Sequence, residues 1–173
     1  APITLLFVGF GAWFLFRQLG LGNLAAMLGG LAAALSSDFF GVACWGVGTQ
    51  AICFGLNYLA LAIVVSPKPL RPWLRYPLAG LAVGMGVMEA FDIGAIFSVV
   101  TAVCVVVHAL ATGENLRKGL CLGIGRVAVI GVFAALIAGA ALSSLIGTQI
   151  QGVVGTDQDQ RTKQERWDWA TQW

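Results

Sequence analysis

The 173-residue chain is 58% hydrophobic and only 10% charged, where a soluble domain carries about 25% charged residues. A soluble fold of this size still exposes roughly a third of the surface its unfolded chain would. That excludes an ordinary globular domain and points to an integral membrane protein, with membrane lipids as its first partners. The net charge of +2, without a basic cluster interleaved with aromatics, excludes nucleic acid as a partner.

Taken in chain order, six apolar segments cover residues 2–16, 21–36, 41–65, 77–88, 93–111 and 120–146. A crossing helix needs about 20 residues, with a range of about 17–25. The third, fifth and sixth segments meet that length. The second is Ala- and Gly-rich, and the fourth is a half-helix or continues into the fifth. Residues 59–65 and 127–141 are apolar on every side, unlike the alternating strands of a β-barrel. The expected fold is all-α: a polytopic transmembrane bundle of about six segments over residues 1–148. Residues 149–173 hold seven of the charges and form a separate polar, Trp-rich tail. There Trp167, Trp169 and Trp173 suit an interfacial anchor or a carbohydrate-stacking platform.

If every segment crosses, Arg17, Lys68, Arg71, Arg75, Arg117, Lys118 and Arg126 all fall on one face, and Asp38, Glu89 and Asp92 on the other. The positive-inside rule makes the basic face cytoplasmic and leaves the N-terminus and the tail outside. Arg126 lies about two turns inside the last segment, from where it snorkels to the interface. The proline-rich stretch 66–76 cannot be helical throughout. It reads as a stiff connection with Trp73 and Tyr76 at the interface.

Small residues recur four apart at Ala25 and Gly29, Ala26 and Gly30, and Gly80 and Gly84. Such pairs let helices approach closely, inside a bundle or across a dimer. Cys44, Cys53, Cys104 and Cys121 have no CxxC spacing, and His108 is the single histidine. No zinc site is therefore expected, and the cysteines read as small buried hydrophobes. His108 sits near the cytoplasmic end of its segment, where an interfacial role outweighs catalysis. Asp38 reads as a helix cap.

Glu89 and Asp92 are the weak catalytic candidates. At i and i+3 they share a face of any helix that contains both. Counted from Pro77, Glu89 lies ~18 Å up the helix, within the outer half of a ~30 Å hydrocarbon layer. Ionisable groups at that depth are functional candidates. Together they could hold a divalent cation on a diphosphate, act as a general base, or bind a sugar hydroxyl. The plainer alternatives are a solvated outer loop, or an N-cap by Asp92. Gln50 and Asn57 are polar intramembrane residues seven apart on one helix face. They serve interhelical hydrogen bonding or a polar path.

The stretch from Gly11 to Ser36 reads Gly-Ala-Trp-Phe-Leu-Phe-Arg-Gln-Leu-Gly-Leu-Gly-Asn-Leu-Ala-Ala-Met-Leu-Gly-Gly-Leu-Ala-Ala-Ala-Leu-Ser. It resembles the YfhO-type bacterial membrane proteins, in which a helix ending in Leu-Arg is followed by a short Leu-Gly-Leu-Ser turn and then by Ala-Ala-Leu-Gly-Gly. Leu78-Ala-Gly-Leu-Ala-Val-Gly-Met-Gly is similar to that family's next signature. The resemblance covers residues 5–110 and implies a bacterial inner-membrane protein of the GT-C-like glycosyltransferase superfamily. Such enzymes transfer sugar from a polyprenyl-phosphate carrier on the outer face. Their acidic catalytic residue lies in the first outer loop, which nothing here matches and which is expected upstream of Ala1. Ser37 and Asp38 stand where the family has a glycine after its serine. The chain is thus expected to be an inner portion of a longer enzyme, with Glu89 and Asp92 at most supplementing its site. The alternative is a non-catalytic helical subunit packing with other membrane subunits. A transporter using Gln50, Asn57, Glu89 and Asp92 around a broken helix at 88–94 ranks third.

Overall fold

The computed structural model describes residues 2–45, 48–67, 71–113 and 115–150. Lys68, Trp167, Trp169 and Trp173, and with them the expected tail beyond residue 150, lie outside the described residues. All regular structure among the described residues is helical. The elements are α1 (Pro2–Gln18), α2 (Asn23–Ala34), α3 (Ser37–Cys44), α4 (Gly48–Val65), α5 (Pro72–Glu89), α6 (Phe91–Thr112) and α7 (Leu116–Ile150). Three stretches are long and apolar enough to cross a membrane: Gly48–Val65, Phe91–Thr112 and Leu116–Gly139. Residues 1–138 make one compact unit and residues 139–173 a second. The bundle belongs to the first; in the second, residues 139–150 are helical.

Helix α1 ends where its sequence says it must. Gly20 adopts φ +86°, a left-handed conformation that favours glycine. Leu21 N–H donates to the Phe16 carbonyl at 3.1 Å and Gly20 N–H to the Arg17 carbonyl at 3.2 Å. This 6→1 and 5→2 pair is the Schellman stop. Arg17 then donates from Nη1 to the Leu21 carbonyl at 2.9 Å, so the side chain braces the turn.

Helix α1 packs on α2 and α4 through glycines. A Cβ at Gly30 would lie 2.6 Å from the Gly9 carbonyl oxygen, and one at Gly11 would lie 2.9 Å from the Gly55 carbonyl oxygen. Helix α5 meets α7 in the same way, through Gly80 against Ile130 and Phe133 and through Gly84 against Ala134 and Ile137. These pairs serve packing within the bundle. The core joins Ala60 and Val64 of α4, Ala79, Ala82 and Val83 of α5, Val105 of α6 and Ile130 of α7. Helix α4 is the central element, with 44% of its apolar window buried, against 22% for α6 and 11% for residues 116–139 of α7.

Two element boundaries differ from those expected. The apolar run 41–65 is divided into α3 and α4. Helix α3 stays on the bundle through the rings of Phe39, Phe54 and Phe97, with centroids 4.8 and 4.7 Å apart in two edge-to-face contacts. Helix α5 begins at Pro72 and runs through Pro77. Pro72 occupies the first helical position, where a missing N–H costs nothing. The helix therefore includes Trp73 and Tyr76, and the connection before it is shorter than residues 66–76.

Candidate functional site

The α5–α6 break brings the candidate acidic residues to one end of the bundle. Ala90 leaves the helical conformation at φ −146° and ψ 94°, and Gly94 packs against the backbone of Gly86 and Val87. A Cβ at Gly94 would stand 2.6 Å from the Val87 Cα, so the tight reversal depends on glycine there. Glu89 is the last residue of α5 and Asp92 lies in the first turn of α6. A helix break separates the two, and the shared face expected of i and i+3 does not apply. The N-cap of α6 is Ala90, so Asp92 does not cap it. Instead its carboxylate sits in the first turn, where the helix dipole favours negative charge. Asp38 is likewise in the first turn of α3.

Counted from Pro72, Glu89 stands ~25 Å along α5 at 1.5 Å per residue. That is further from the helix start than the ~18 Å counted from Pro77. Both carboxylates are exposed. Both remain within electrostatic reach of the buried Cys53 on α4.

Below the break, α4 presents a polar column. Gln50, Cys53 and Asn57 follow at i, i+3 and i+7, which places them on one face. Gln50 is half-buried, and Asn57 is 2% exposed. Asn57 donates from Nδ2 to the Cys53 carbonyl at 2.9 Å and contacts Cys53 Sγ at 3.6 Å. Its Oδ1 is buried without a hydrogen-bond partner among the described residues. Gly86 of α5 faces the pair: a Cβ there would lie 3.4 Å from Asn57 Nδ2 and 3.6 Å from Cys53 Sγ. The arrangement is a buried polar contact between α4 and α5, with both carboxylates exposed.

No group of three or more His, Cys, Asp or Glu residues is placed to hold a metal ion among the described residues. Cys53 is buried and Cys104 half-buried, while Cys44 and Cys121 are exposed. The latter two depart from the expected role of small buried hydrophobes. Thr101, in the Val-rich stretch of α6, is 1% exposed, and its Oγ1 has no partner among the described residues. Hydropathy alone does not single it out.

The basic residues gather at the other end. Ser66, after α4, donates to Gln18 Oε1 of α1 at 2.8 Å, and Arg75 of α5 donates to the Ser66 carbonyl at 2.6 Å. Arg126 of α7 lies over the Tyr76 ring, 5.3 Å from its centroid. Arg71 is the N-cap of α5, and Arg117 and Lys118 are exposed in the first turn of α7. Sequence spacing does not reveal the Tyr76–Arg126 stack, because the partners lie on non-adjacent helices. Comparison with known protein families, curated proteins and solved structures finds no match.

Proposed function

We propose that the chain is part of a polytopic, YfhO-type bacterial inner-membrane protein that transfers sugar from a polyprenyl-phosphate carrier on the outer face of the membrane. In this reading α1, α2, α4, α5, α6 and α7 each cross, and α3, with Asp38 in its first turn, lies in the outer connection between α2 and α4. The basic end is cytoplasmic, and the N-terminus lies outside. The observation that carries the reading is where the family-like glycines fall. Gly11, Gly29 and Gly30 of the first stretch, and Gly80 and Gly84 of the second, all stand at helix crossings or against a neighbouring side chain. That supports the likeness as one of packing and not of composition alone.

Glu89 and Asp92 then lie at the outer end of the bundle. There they supplement an acidic base supplied from elsewhere, which takes the proton of the acceptor hydroxyl. A divalent cation shared with substrate phosphate would offset charge on the leaving group. The test is transfer of labelled sugar from a polyprenyl-phosphate donor by the protein purified from its source membrane, after its intact mass is measured. The reading expects a mass several times 18.1 kDa and slower transfer by the folded E89Q/D92N variant. A native mass near 18.1 kDa with no transfer would overturn it.

A second reading, a non-catalytic subunit of a larger membrane assembly, is favoured by α7. Its 116–139 stretch is only 11% buried, and Leu122, Val132 and Leu136 on it are exposed. Co-purification of stoichiometric membrane partners, lost when Leu136 is replaced by Trp, would support it.

A further inference from the structure

The break between α2 and α3 lies below the outer end of the bundle. Ala34, the last residue of α2, is level with Gly9 of α1: a Cβ at Gly9 would lie 2.8 Å from the Ala34 Cβ. Gly9 is ~10 Å along α1 from Pro2 at 1.5 Å per residue. Helices α1 and α4 run in the same direction, since Gly48 packs on Thr4 and Gly11 on Gly55. Phe39 of α3 meets the ring of Phe54, which is ~9 Å along α4 from Gly48. Phe54 in turn meets Phe97, ~9 Å along α6 from Phe91. Three helices thus place the α2–α3 break at one depth, ~10 Å below their own first residues.

The break is polar and open. Ser36, Ser37 and Asp38 follow one another there, and Ser37 and Asp38 are exposed. The N–H groups of Ser37, Asp38 and Phe39 precede the first bond of α3, from Phe40 N–H to the Ser36 carbonyl at 2.9 Å. Apolar side chains nevertheless stand exposed outward of this level: Ile3 and Leu6 of α1 are 79% and 70% exposed. Hydrocarbon does not tolerate open backbone groups, which at membrane depth face protein or water. An exposed carboxylate at that depth is expensive as well. The length of α2 favours water. Its 12 residues span ~18 Å, well short of a ~30 Å hydrocarbon layer. Leu24, Leu28, Leu31 and Leu35 are exposed along it, and this apolar run stops where the serines begin. A bilayer meets so short an apolar element by thinning.

We propose that the outer leaflet is indented beside the α2–α3 break, so that water and lipid headgroups reach Ser36, Ser37 and Asp38 ~10 Å below the first residues of α1, α4 and α6. The indentation gives a hydrophilic molecule a lateral entry to the bundle at the depth of Asp38. It depends on the bundle lying in a membrane and not on glycosyl transfer.

The test is the rate at which a cationic, membrane-impermeant methanethiosulfonate modifies single cysteines in the full chain. The chain is held in phosphatidylcholine nanodiscs, which leave both faces open to the reagent. The parent carries C44A, C104A and C121A and keeps the buried Cys53; its own rate is the baseline. S37C and D38C are expected to react within about tenfold of N115C, an exposed position between α6 and α7. L6C, outward of the break on α1, and L31C, inward of it on α2, should react at least about a hundredfold more slowly, because bringing a cation into hydrocarbon is costly. A position nearer the outer end would then be drier than one deeper in the bundle, which a flat leaflet does not produce. S37C is close to isosteric, so the proposal stays testable if D38C fails to fold. Rates at S37C as slow as at L31C overturn the proposal. An L6C rate equal to that of S37C also overturns it, since the break would then lie at an ordinary membrane surface. Fast reaction in nanodiscs but protection in the source membrane would assign the break to a protein partner and overturn the indentation.

Discussion

Replacing Gly84 with Ala tests whether α5 and α7 are held at backbone contact. The new Cβ would stand 2.7 Å from the Ala134 carbonyl oxygen, 2.9 Å from the Ala134 Cα and 3.0 Å from the Ile137 Cβ. Two of those atoms are helix backbone, which cannot rotate away, so the helices must separate. Overpacking of this kind costs about 1–3 kcal/mol. Alanine also gains about 1 kcal/mol of helix propensity over glycine, which would mask part of the loss. Gly131→Ala supplies the reference: Gly131 is a helical glycine of α7 whose Cβ would meet nothing within 4 Å. Both variants gain the same propensity, so their difference isolates the steric cost. The expectation is that G84A is less stable than G131A by about 1–3 kcal/mol. Reversible unfolding by denaturing detergent, followed by circular dichroism, measures the difference. Stabilities agreeing within about 0.5 kcal/mol, the usual range of neutral surface changes, would refute the close α5–α7 crossing.

Gly20→Ala should cost about 1–2 kcal/mol, because an L-residue pays that much in the left-handed region; Gly20→Asn should cost less, and equal stabilities in the same titration would count against the Schellman stop. Asn57→Leu removes a buried carbonyl oxygen without a described partner, so stability should stay level or rise by up to ~2 kcal/mol; a clear loss would show that Asn57 Oδ1 has an acceptor role in the native membrane. Asp92→Asn should lose about 0.3–1 kcal/mol of helix-dipole stabilisation, an effect that should shrink in high salt; a salt-independent loss would mean that Asp92 holds a specific partner. Tyr76→Leu should destabilise by about 0.5–2 kcal/mol relative to Tyr76→Phe, because only the latter keeps a ring under Arg126; indistinguishable variants would remove the Arg126 stack from the account.

Much of the bundle is legible in the residues because a helix in lipid must be apolar along its whole length. Helices α4, α6 and α7 announce themselves in this way. The α1 stop is legible too, since Arg17-Gln-Leu-Gly20 joins a cation at a helix end to the one residue suited to φ +86°. The α3–α4 division is not, because Phe39 to Val65 contains no proline or charge to mark a break. The start of α5 is hidden for the opposite reason: Pro72 and Pro77 both read as helix breakers, yet Pro72 fits the first position. That offset of five residues puts Glu89 ~25 Å from the helix start instead of ~18 Å. Small-residue spacing exposes the crossings at Gly30, Gly80 and Gly84 but not which helix each one meets. The Tyr76–Arg126 stack depends on that pairing and is therefore invisible to spacing.

The two ends of the bundle differ in how their charges are held. Arg17 donates to the Leu21 carbonyl in the turn after α1 and Arg75 to the Ser66 carbonyl just after α4, and Arg126 lies on an aromatic ring. Each of these cations does structural work at a joint between helices or at a helix stop. Glu89 and Asp92 are exposed beside a one-residue break, and Asp38 opens a short helix. An exposed carboxylate costs little to keep and little to lose. Beneath them, however, Asn57 is buried with an oxygen that no described donor reaches, and a buried acceptor of that kind costs about 1–3 kcal/mol. The energetic anomaly of this end is thus the amide and not the carboxylates.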